Sequence, residues 1–210
     1  MITEVEKKAR ISPEDFYKVA LNENETVLNN IGSARIKRIK TDSYYKIGDK
    51  NFRLRTVNMV DGGLFVADVN YLTVKNKKMI DSTEANEEIE LQLDTEAYDK
   101  LKKCLTILGA TLEYEKKKTG FSFEKIKKVT LLHGINVNIE FFRIESNNGY
   151  KDYFVEIEAV RDESADNTYG DNAFIEAANN SINYWFDKLG FKNFENKPYA
   201  QLIREYSEEW

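Results

Sequence analysis

The chain has 210 residues, of which 31 are Lys or Arg and 36 are Asp or Glu, giving a net charge of −5. This length fits one domain over residues 1–210, and the acidic balance argues against a nucleic-acid partner, because nucleic-acid binders normally carry a basic surface. The sequence has no apolar run near the roughly 20 residues that cross a bilayer and no signal-peptide core, so we expect a cytoplasmic protein without a membrane partner.

The first predicted element is a strand in the sequence MITEVEKKAR. Side chains of a strand alternate between its two faces, so Glu4, Glu6 and Lys8 share one face while Val5 and Ala9 point the other way. By itself this ExExK pattern favours a solvated strand edge, because Glu and Lys are the commonest surface residues.

A helix and a β-hairpin are predicted next. Ser12-Pro13-Glu14-Asp15 indicates a helix start, with Ser as the N-cap and Pro in the first turn. Residues 35–47 alternate like a strand, and residues 48–51 form a turn into the strand FRLRTV. On this second strand Arg53 and Arg55 share one face.

The middle of the chain repeats this alternation. A strand over residues 71–75 ends at Lys75, residues 76–86 form a predicted polar loop, and the strand EEIELQL has Glu88 and Glu90 on one face. A helix follows, beginning at Asp94-Thr95-Glu96 and ending at Gly109, and the pattern predicts that its apolar stripe belongs to the core. The residues of this stripe are Tyr98, Leu101, Leu105 and Leu108.

Three further strands and two helical segments complete the chain. Each strand has a polar face, and these faces carry Lys116 and Lys118, then Asn136, Asn138 and Glu140, then Glu156 and Glu158. An amphipathic helix covers residues 171–189, and a short last segment covers residues 197–203. The only cysteine, Cys104, rules out an intramolecular disulfide and a cysteine-based zinc site.

Strands with ionic residues on one face and apolar residues on the other can be arranged in two ways. A sandwich points the charges at water, whereas a closed barrel wrapped by helices points them into its own lumen. Charges in a lumen are costly to desolvate unless water, metal ions or a polyanionic ligand compensate them. Such a lumen would be a site for divalent cations and phosphates.

The order of these motifs resembles the CYTH superfamily, the triphosphate tunnel metalloenzymes, which include class IV adenylyl cyclases, thiamine triphosphatases and inorganic tripolyphosphatases. The resemblance spans residues 2 to about 205 and depends on the succession ExExK, RxR, a lysine strand, ExE, KxK and a final ExE. It implies an α+β fold, namely an antiparallel eight-stranded β-barrel, or triphosphate tunnel, with helices packed on the outside.

Several positions refine this resemblance. Asp42, Tyr44 and Tyr45 are similar to the D-x-Y-Y element of the cyclase-like branch, and the segment around Tyr199 is similar to the ending of that branch. Two positions depart from the family pattern. Asn86 stands where an arginine is frequent, and Phe142 stands where many relatives have an aspartate, which Glu140 would partly replace.

The resemblance also implies a set of site residues. The catalytic group would be Lys8, Arg55 and Lys75. The phosphate-binding group would be Lys8, Arg53, Arg55, Lys75, Lys116 and Lys118. The metal ligands would be Glu4, Glu6, Glu156 and Glu158 first, then Glu88 and Glu90; these oxygen-only ligands suit Mg²⁺ or Mn²⁺.

Three functions remain open at this level. We expect a metal-dependent phosphohydrolase acting on a small-molecule triphosphate, either inorganic tripolyphosphate or an organic triphosphate such as thiamine triphosphate or a nucleotide. The alternatives are a class IV adenylyl cyclase, which converts ATP to cyclic AMP and pyrophosphate, and a non-catalytic phosphate-binding module. The sequence leaves the oligomeric state open, a homodimer included.

Overall fold

The computed structural model describes residues 3–21, 31, 35–61, 64–80, 83–126, 135–161 and 170–208. For residues 60, 61, 64–67, 75–80, 83, 84, 86, 125 and 208 it describes the backbone only. Within these limits the chain forms eight strands and four helices. The strands are β1 (Glu4–Arg10), β2 (Arg35–Ile47), β3 (Lys50–Asp61), β4 (Leu64–Ile80), β5 (Thr83–Leu93), β6 (Thr111–Ile126), β7 (Ile135–Ser146) and β8 (Lys151–Arg161). The helices are α1 (Pro13–Ala20), α2 (Thr95–Ile107), α3 (Asp171–Leu189) and α4 (Tyr199–Glu208).

The strands form a closed antiparallel barrel in the order β1-β5-β4-β3-β2-β6-β7-β8. The ring closes at β1, which pairs with β5 on one side and with β8 on the other. This topology confirms the predicted α+β fold with an eight-stranded antiparallel barrel. The β1–β5 seam joins three residue pairs, from Glu4–Asn86 to Glu6–Glu84, and the closed ring encloses a lumen lined by alternate strand residues.

Local sequence signals explain where the helices begin and end. The Ser12 hydroxyl accepts a hydrogen bond from the Asp15 amide at 3.0 Å, and Asp94 caps α2 by accepting one from the Ala97 amide at 2.7 Å. Helix α3 ends at Gly190, whose φ of +79° lies in the left-handed region that glycine adopts without strain. These caps confirm the predicted helix boundaries.

The main hydrophobic core lies outside the barrel wall, between the strands and α3. Helix α3 packs mainly on β8 and also contacts β1 and β7. Its buried residues include Phe174, Ala178, Ile182 and Trp185, which form one cluster with outward-facing barrel residues such as Ile157. The apolar outer faces of the strands therefore drive the packing that orients their charged faces inward.

Helix α4 occupies a different position from the other helices, because it packs over one end of the barrel. Its residues Tyr199, Leu202 and Ile203 form a buried cluster with Phe142 and Phe154, which continue the inward faces of β7 and β8. An apolar plug therefore closes part of this end of the lumen.

Two local predictions differ from the structure. Residues 76–86, predicted as a polar loop, mostly continue the strands: β4 runs to Ile80 and β5 starts at Thr83, with Asn76 paired to Glu87. Polar residues can extend a strand there because backbone pairing supplies the stability that composition does not reveal. In α2, Tyr98 and Leu105 are buried, but Leu108 is 67% exposed because it follows the last helical turn.

Candidate functional site

The barrel lumen contains two connected chambers. The first chamber, of about 420 Å³, lies at the α4 end, and the second chamber, of about 410 Å³, lies toward the opposite end. Five residues line both chambers and mark the level where they meet, namely Glu4, Lys40, Arg55, Glu88 and Glu158. The lumen is therefore a tunnel whose central section is strongly ionic.

A carboxylate triad lies in this central section. One oxygen from each of Glu4, Glu6 and Glu158 lies within 4.8 Å of the other two. Strand β1 supplies the first two residues by alternation, and β8 supplies the third because Glu6 pairs with Glu158 where the barrel closes. Burial, together with the negative charge of Glu140, raises the pKa of Glu158 to about 7.

This triad fits a hard divalent cation. Three carboxylate oxygens at this spacing repel one another, and a cation between them would remove that repulsion. Oxygen ligands without nitrogen or sulfur are the donor set that Mg²⁺ and Mn²⁺ prefer. Among the described residues, no other group of three His, Cys, Asp or Glu side chains approaches this closely.

The other predicted metal ligands contact cations and hydroxyl groups. Glu156 accepts hydrogen bonds from the Lys118 amine at 3.0 and 3.2 Å and from the Tyr199 hydroxyl at 2.7 Å. Glu88 accepts a bond from Arg53 at 3.1 Å, and Glu90 lies 3.6 Å from the same guanidinium. In the observed arrangement these three carboxylates thus neutralise the charges of Lys118 and Arg53.

Arg55 is held by Asp42, a fully buried carboxylate. The Asp42 oxygens accept bonds from Nε of Arg55 at 2.6 Å and from Nη2 at 2.9 Å. Burial alone would raise the pKa of Asp42, but the charge and hydrogen bonds of Arg55 hold it well below its usual range. These two bonds fix the orientation of the Arg55 guanidinium group, and Nη1 takes part in neither of them.

Three lysines surround the ring of Tyr199 in α4. The amine nitrogens of Lys116, Lys8 and Lys118 lie 4.4, 4.8 and 5.0 Å from the ring centroid. The ring face attracts these cations, and burial lowers the pKa of Lys116. This arrangement gathers positive charge at the α4 end, next to Glu156.

The structure leaves two positions of the family pattern untested and shows the surroundings of a third. Lys75 pairs with Glu88 in the strand ladder, but its side chain lies outside the described part of the structure, as does that of Asn86. Phe142, at the position where many relatives have an aspartate, is buried with its ring centroid 4.1 Å from the Lys118 amine. At this position Lys118 therefore contacts an aromatic ring instead of a carboxylate.

Several residues of the tunnel have no role in the sequence-based prediction. Lys40 forms an ion pair with Glu140, and Thr73 donates a hydrogen bond to Glu90 at 3.0 Å. Tyr114 stacks on Tyr44 with a centroid distance of 4.4 Å. The alternation of β2, applied to all of residues 35–47, would have identified Lys40, because it shares a face with Asp42 and Tyr44.

A closed antiparallel barrel with opposed carboxylates and cations along its lumen defines the structural class. It is the tunnel architecture that the resemblance to triphosphate tunnel metalloenzymes implies. Among the described residues, no helix is both long and apolar enough to cross a membrane.

Two solved structures from Pyrococcus support this fold. A conserved hypothetical protein from Pyrococcus furiosus matches with a TM-score of 0.58 and 22% identity, over 95% of this chain and 99% of that chain. The PH1012 protein from Pyrococcus horikoshii matches with a TM-score of 0.56 and 18% identity, over 95% and 98%. The RNA triphosphatase domain of a mimivirus mRNA capping enzyme is more distant, with a TM-score of 0.44 and 13% identity over 89% of each chain. No protein-family model and no curated protein matches the chain.

Proposed function

We propose that this protein is a Mg²⁺- or Mn²⁺-dependent phosphohydrolase that binds a triphosphate in its tunnel. The observation that carries the proposal is the carboxylate triad of Glu4, Glu6 and Glu158. It lies in the same lumen as Arg53, Arg55, Lys116 and Lys118. A triphosphate needs both groups, because its charge repels a nucleophile until cations neutralise it.

The roles follow from the charges of the side chains. The triad would hold the metal ion, which when bound neutralises phosphate charge and orients the attacking water. The phosphate oxygens would be bound by the basic side chains, namely Arg53, Arg55, Lys116, Lys118, Lys8 and Lys75. In the reaction, water attacks the terminal phosphorus, the bond to the bridging oxygen breaks, and orthophosphate leaves the shortened chain.

Ligand binding would also rearrange the ion pairs of the tunnel. Lys118 bonds to Glu156, and Arg53 to Glu88, so each cation exchanges a carboxylate partner for phosphate when substrate enters. The released carboxylates, Glu156 and Glu88, then become available as further metal ligands. The exchange leaves the released carboxylates charged, so it favours entry of the triphosphate together with divalent cations.

The proposal is tested by metal-dependent phosphate release from tripolyphosphate, thiamine triphosphate and ATP, with cyclic AMP measured in parallel. We expect phosphate release with Mg²⁺ or Mn²⁺ and none with excess chelator. Glu4→Gln and Glu6→Gln should each lower kcat/KM by roughly 100-fold or more, the scale of losing one essential electrostatic group. The control Glu176→Gln, at an exposed position of α3, should leave activity unchanged.

Three outcomes would contradict the proposal. Cyclic AMP without phosphate release would identify a cyclase, and binding without turnover of any substrate would identify a phosphate-binding module. Normal turnover by both Gln variants would show that the triad is not the metal site.

A further inference from the structure

The seam between β1 and β5 is short, and β5 continues beyond it. Strand β1 begins at Glu4, and its ladder with β5 ends there, at the pair Glu4–Asn86. Strand β5 runs on to Leu93 and stays paired with β4 over this whole stretch. Among the described residues, none forms a strand pair with β5 beyond Asn86 on the β1 side. This part of β5 is therefore an edge strand.

The backbone of this edge strand points away from β4 at every second residue. The Glu88 amide donates to the Thr3 hydroxyl at 3.2 Å, so the N–H of Glu88 points to the β1 side. Backbone groups alternate in direction along an antiparallel strand, so the N–H and C=O groups of Glu90 and Gln92 point to the same side. A row of such groups is a template for pairing with another chain.

The side chains of this stretch are exposed on both faces of the strand. The four consecutive residues from Ile89 to Gln92 are all exposed, although they alternate between the outer face and the lumen face. On the outer face Ile89 is 62% exposed and Leu91 is 53% exposed, and Val74, which pairs with Ile89, is 45% exposed. Residues 87–93 and Val74 form a surface that we name the β5 edge.

The charges of the β5 edge are negative. The charged residues from 87 to 94 are all acids, and Glu87, Glu90 and Asp94 among them are exposed. Residues 70–74 of β4, which pair with residues 89–93, carry no charge. Directly opposed side chains of opposite charge stabilise a strand pair. The edge therefore favours an added strand with a basic face toward Glu90 and an apolar face toward Ile89.

A second copy of this chain lacks that complementarity. A two-fold axis at Glu90 would set Glu90 against its own copy. An axis at Leu91 would set Glu88 against Asp94, and an axis at Gln92 would set Glu90 against Asp94. Each of these registers opposes two carboxylates, and like charges directly opposite each other destabilise a strand pair.

We propose that the β5 edge binds an extended segment of a partner protein in which basic residues alternate with apolar residues. The segment adds a strand beside β5, and its backbone bonds to the backbone of Glu90 and Gln92. Its basic side chains face the Glu90 carboxylate, and its apolar side chains lie beside Ile89 and Leu91. Main-chain hydrogen bonds supply the affinity, and the alternation of side chains supplies the specificity.

Fluorescence anisotropy with short labelled peptides tests the proposal on the full chain. The probe is a peptide of alternating Lys and Val, acetylated and amidated at its ends, and the charge control has Glu in place of Lys. We expect saturable binding of the Lys–Val peptide and none of the Glu–Val peptide. Methylation of the Lys amides, which face the backbone of Glu90 and Gln92, should abolish binding. Methylation of the Val amides, which face solvent, should leave it unchanged.

Variants of the β5 edge locate the binding site. Gln92→Pro removes an N–H that points to the free side and leaves the ladder with β4 intact, as prolines at sheet edges do. It should weaken binding of the Lys–Val peptide roughly tenfold, the scale of one lost backbone hydrogen bond. The matched control Gln92→Ala keeps this N–H and should bind like the wild type.

A second variant covers a failure of Gln92→Pro to fold. Ile89→Lys places a positive charge on the exposed outer face, where it removes an apolar contact and repels the basic peptide, so binding should weaken in the same direction. Its control is Ile107→Lys in α2, where the side chain is 84% exposed and lies outside the β5 edge. This control should bind like the wild type.

Five results would overturn the proposal. The first three are no saturable binding of the Lys–Val peptide, equal binding of the Glu–Val peptide, and equal effects of the two methylation patterns. The fourth is loss of binding in Glu158→Gln with normal binding in Gln92→Pro and Ile89→Lys, which would place the peptide in the tunnel. The fifth is a dimer, detected by light scattering, that dissociates in Ile89→Lys, because a second copy would then occupy the edge.

Discussion

At the scale of single residues, Asp42 has a different environment from the other carboxylates of the tunnel. It is fully buried, and Arg55 donates two hydrogen bonds to it. Lys116 lies 3.7 Å away, so two cations share this one acid. The two hydrogen bonds orient Arg55. Removing the carboxylate would leave the charges of both cations without compensation.

We predict that Asp42→Asn lowers the free energy of unfolding by about 3–5 kcal/mol, the cost of breaking a buried ion pair. The amide cannot offer two negative oxygens to the guanidinium, so Arg55 also loses its fixed orientation. Urea unfolding gives the stability change, and the KM for tripolyphosphate should rise.

The matched control for this prediction is Asp49→Asn, in the turn between β2 and β3, where the carboxylate side chain is 83% exposed. An exposed ion pair contributes little, so this control should change stability by no more than about 0.5 kcal/mol. Equal, small effects of the two substitutions would show that Asp42 does not hold Arg55.

At the scale of elements, α4 connects the apolar plug with the ionic site. One side of the helix packs on Phe142 and Phe154, while Tyr199 in its first turn reaches Glu156. The burial of Leu202 and Ile203 fixes the helix, and the fixed helix places the Tyr199 ring among three lysines. Packing outside the ionic section therefore determines the geometry inside it.

Tyr199→Phe should lower the free energy of unfolding by about 1.5–3 kcal/mol, because the lost hydroxyl donates to a charged acceptor. For a domain of this size, that corresponds to a fall in Tm of about 3–12 °C in a thermal melt. The Phe ring keeps its contacts with the lysines, so the helix should stay in place. Tyr184→Phe, at an exposed position of α3, is the control, and a similar fall in both variants would argue against the bond to Glu156.

At the scale of the whole molecule, the tunnel is a set of mutually dependent charges. Burial would raise the pKa of Glu140, but the charges of Lys40 and Lys118 outweigh it and lower the pKa to about 2. The same Glu140 charge contributes to the raised pKa of Glu158. Acids with opposite pKa shifts therefore coexist, because cations outweigh burial at Glu140 whereas burial and a neighbouring negative charge prevail at Glu158.

The lowered pKa of Glu140 predicts a pH dependence of stability. The unfolded state takes up this proton first, near pH 4.5, so the stabilisation is present above that pH and is lost as the pH falls toward 2. Between pH 5 and pH 3 this group alone should account for a loss of about 2 kcal/mol.

Urea unfolding at pH 5, 4 and 3 checks this prediction. Glu140→Gln should start from a lower stability at pH 5 and should lose about 2 kcal/mol less than the wild type down to pH 3. Glu176→Gln, at the exposed site in α3, should follow the wild type. Parallel curves for the wild type and Glu140→Gln would mean that the Lys40 ion pair does not lower this pKa.

Much of the fold was predictable because alternation is a local property. The spacing of Glu4, Glu6 and Lys8 indicated one face of a strand, and the tunnel uses that face. The extent of β4 and β5 was not predictable, because residues 76–86 are polar and their strands depend on pairing with each other. The exposure of Leu108 likewise depends on where α2 ends relative to the sheet.

The sequence by itself determined which residues of each strand share a face, because the backbone geometry of a strand imposes a period of two. Only the tertiary structure decided which faces meet. Glu158 joins Glu4 and Glu6 because β8 closes the barrel on β1, whereas Glu156, on the same face, bonds to Lys118 and Tyr199. Strand pairing is non-local, and no spacing along the chain encodes it.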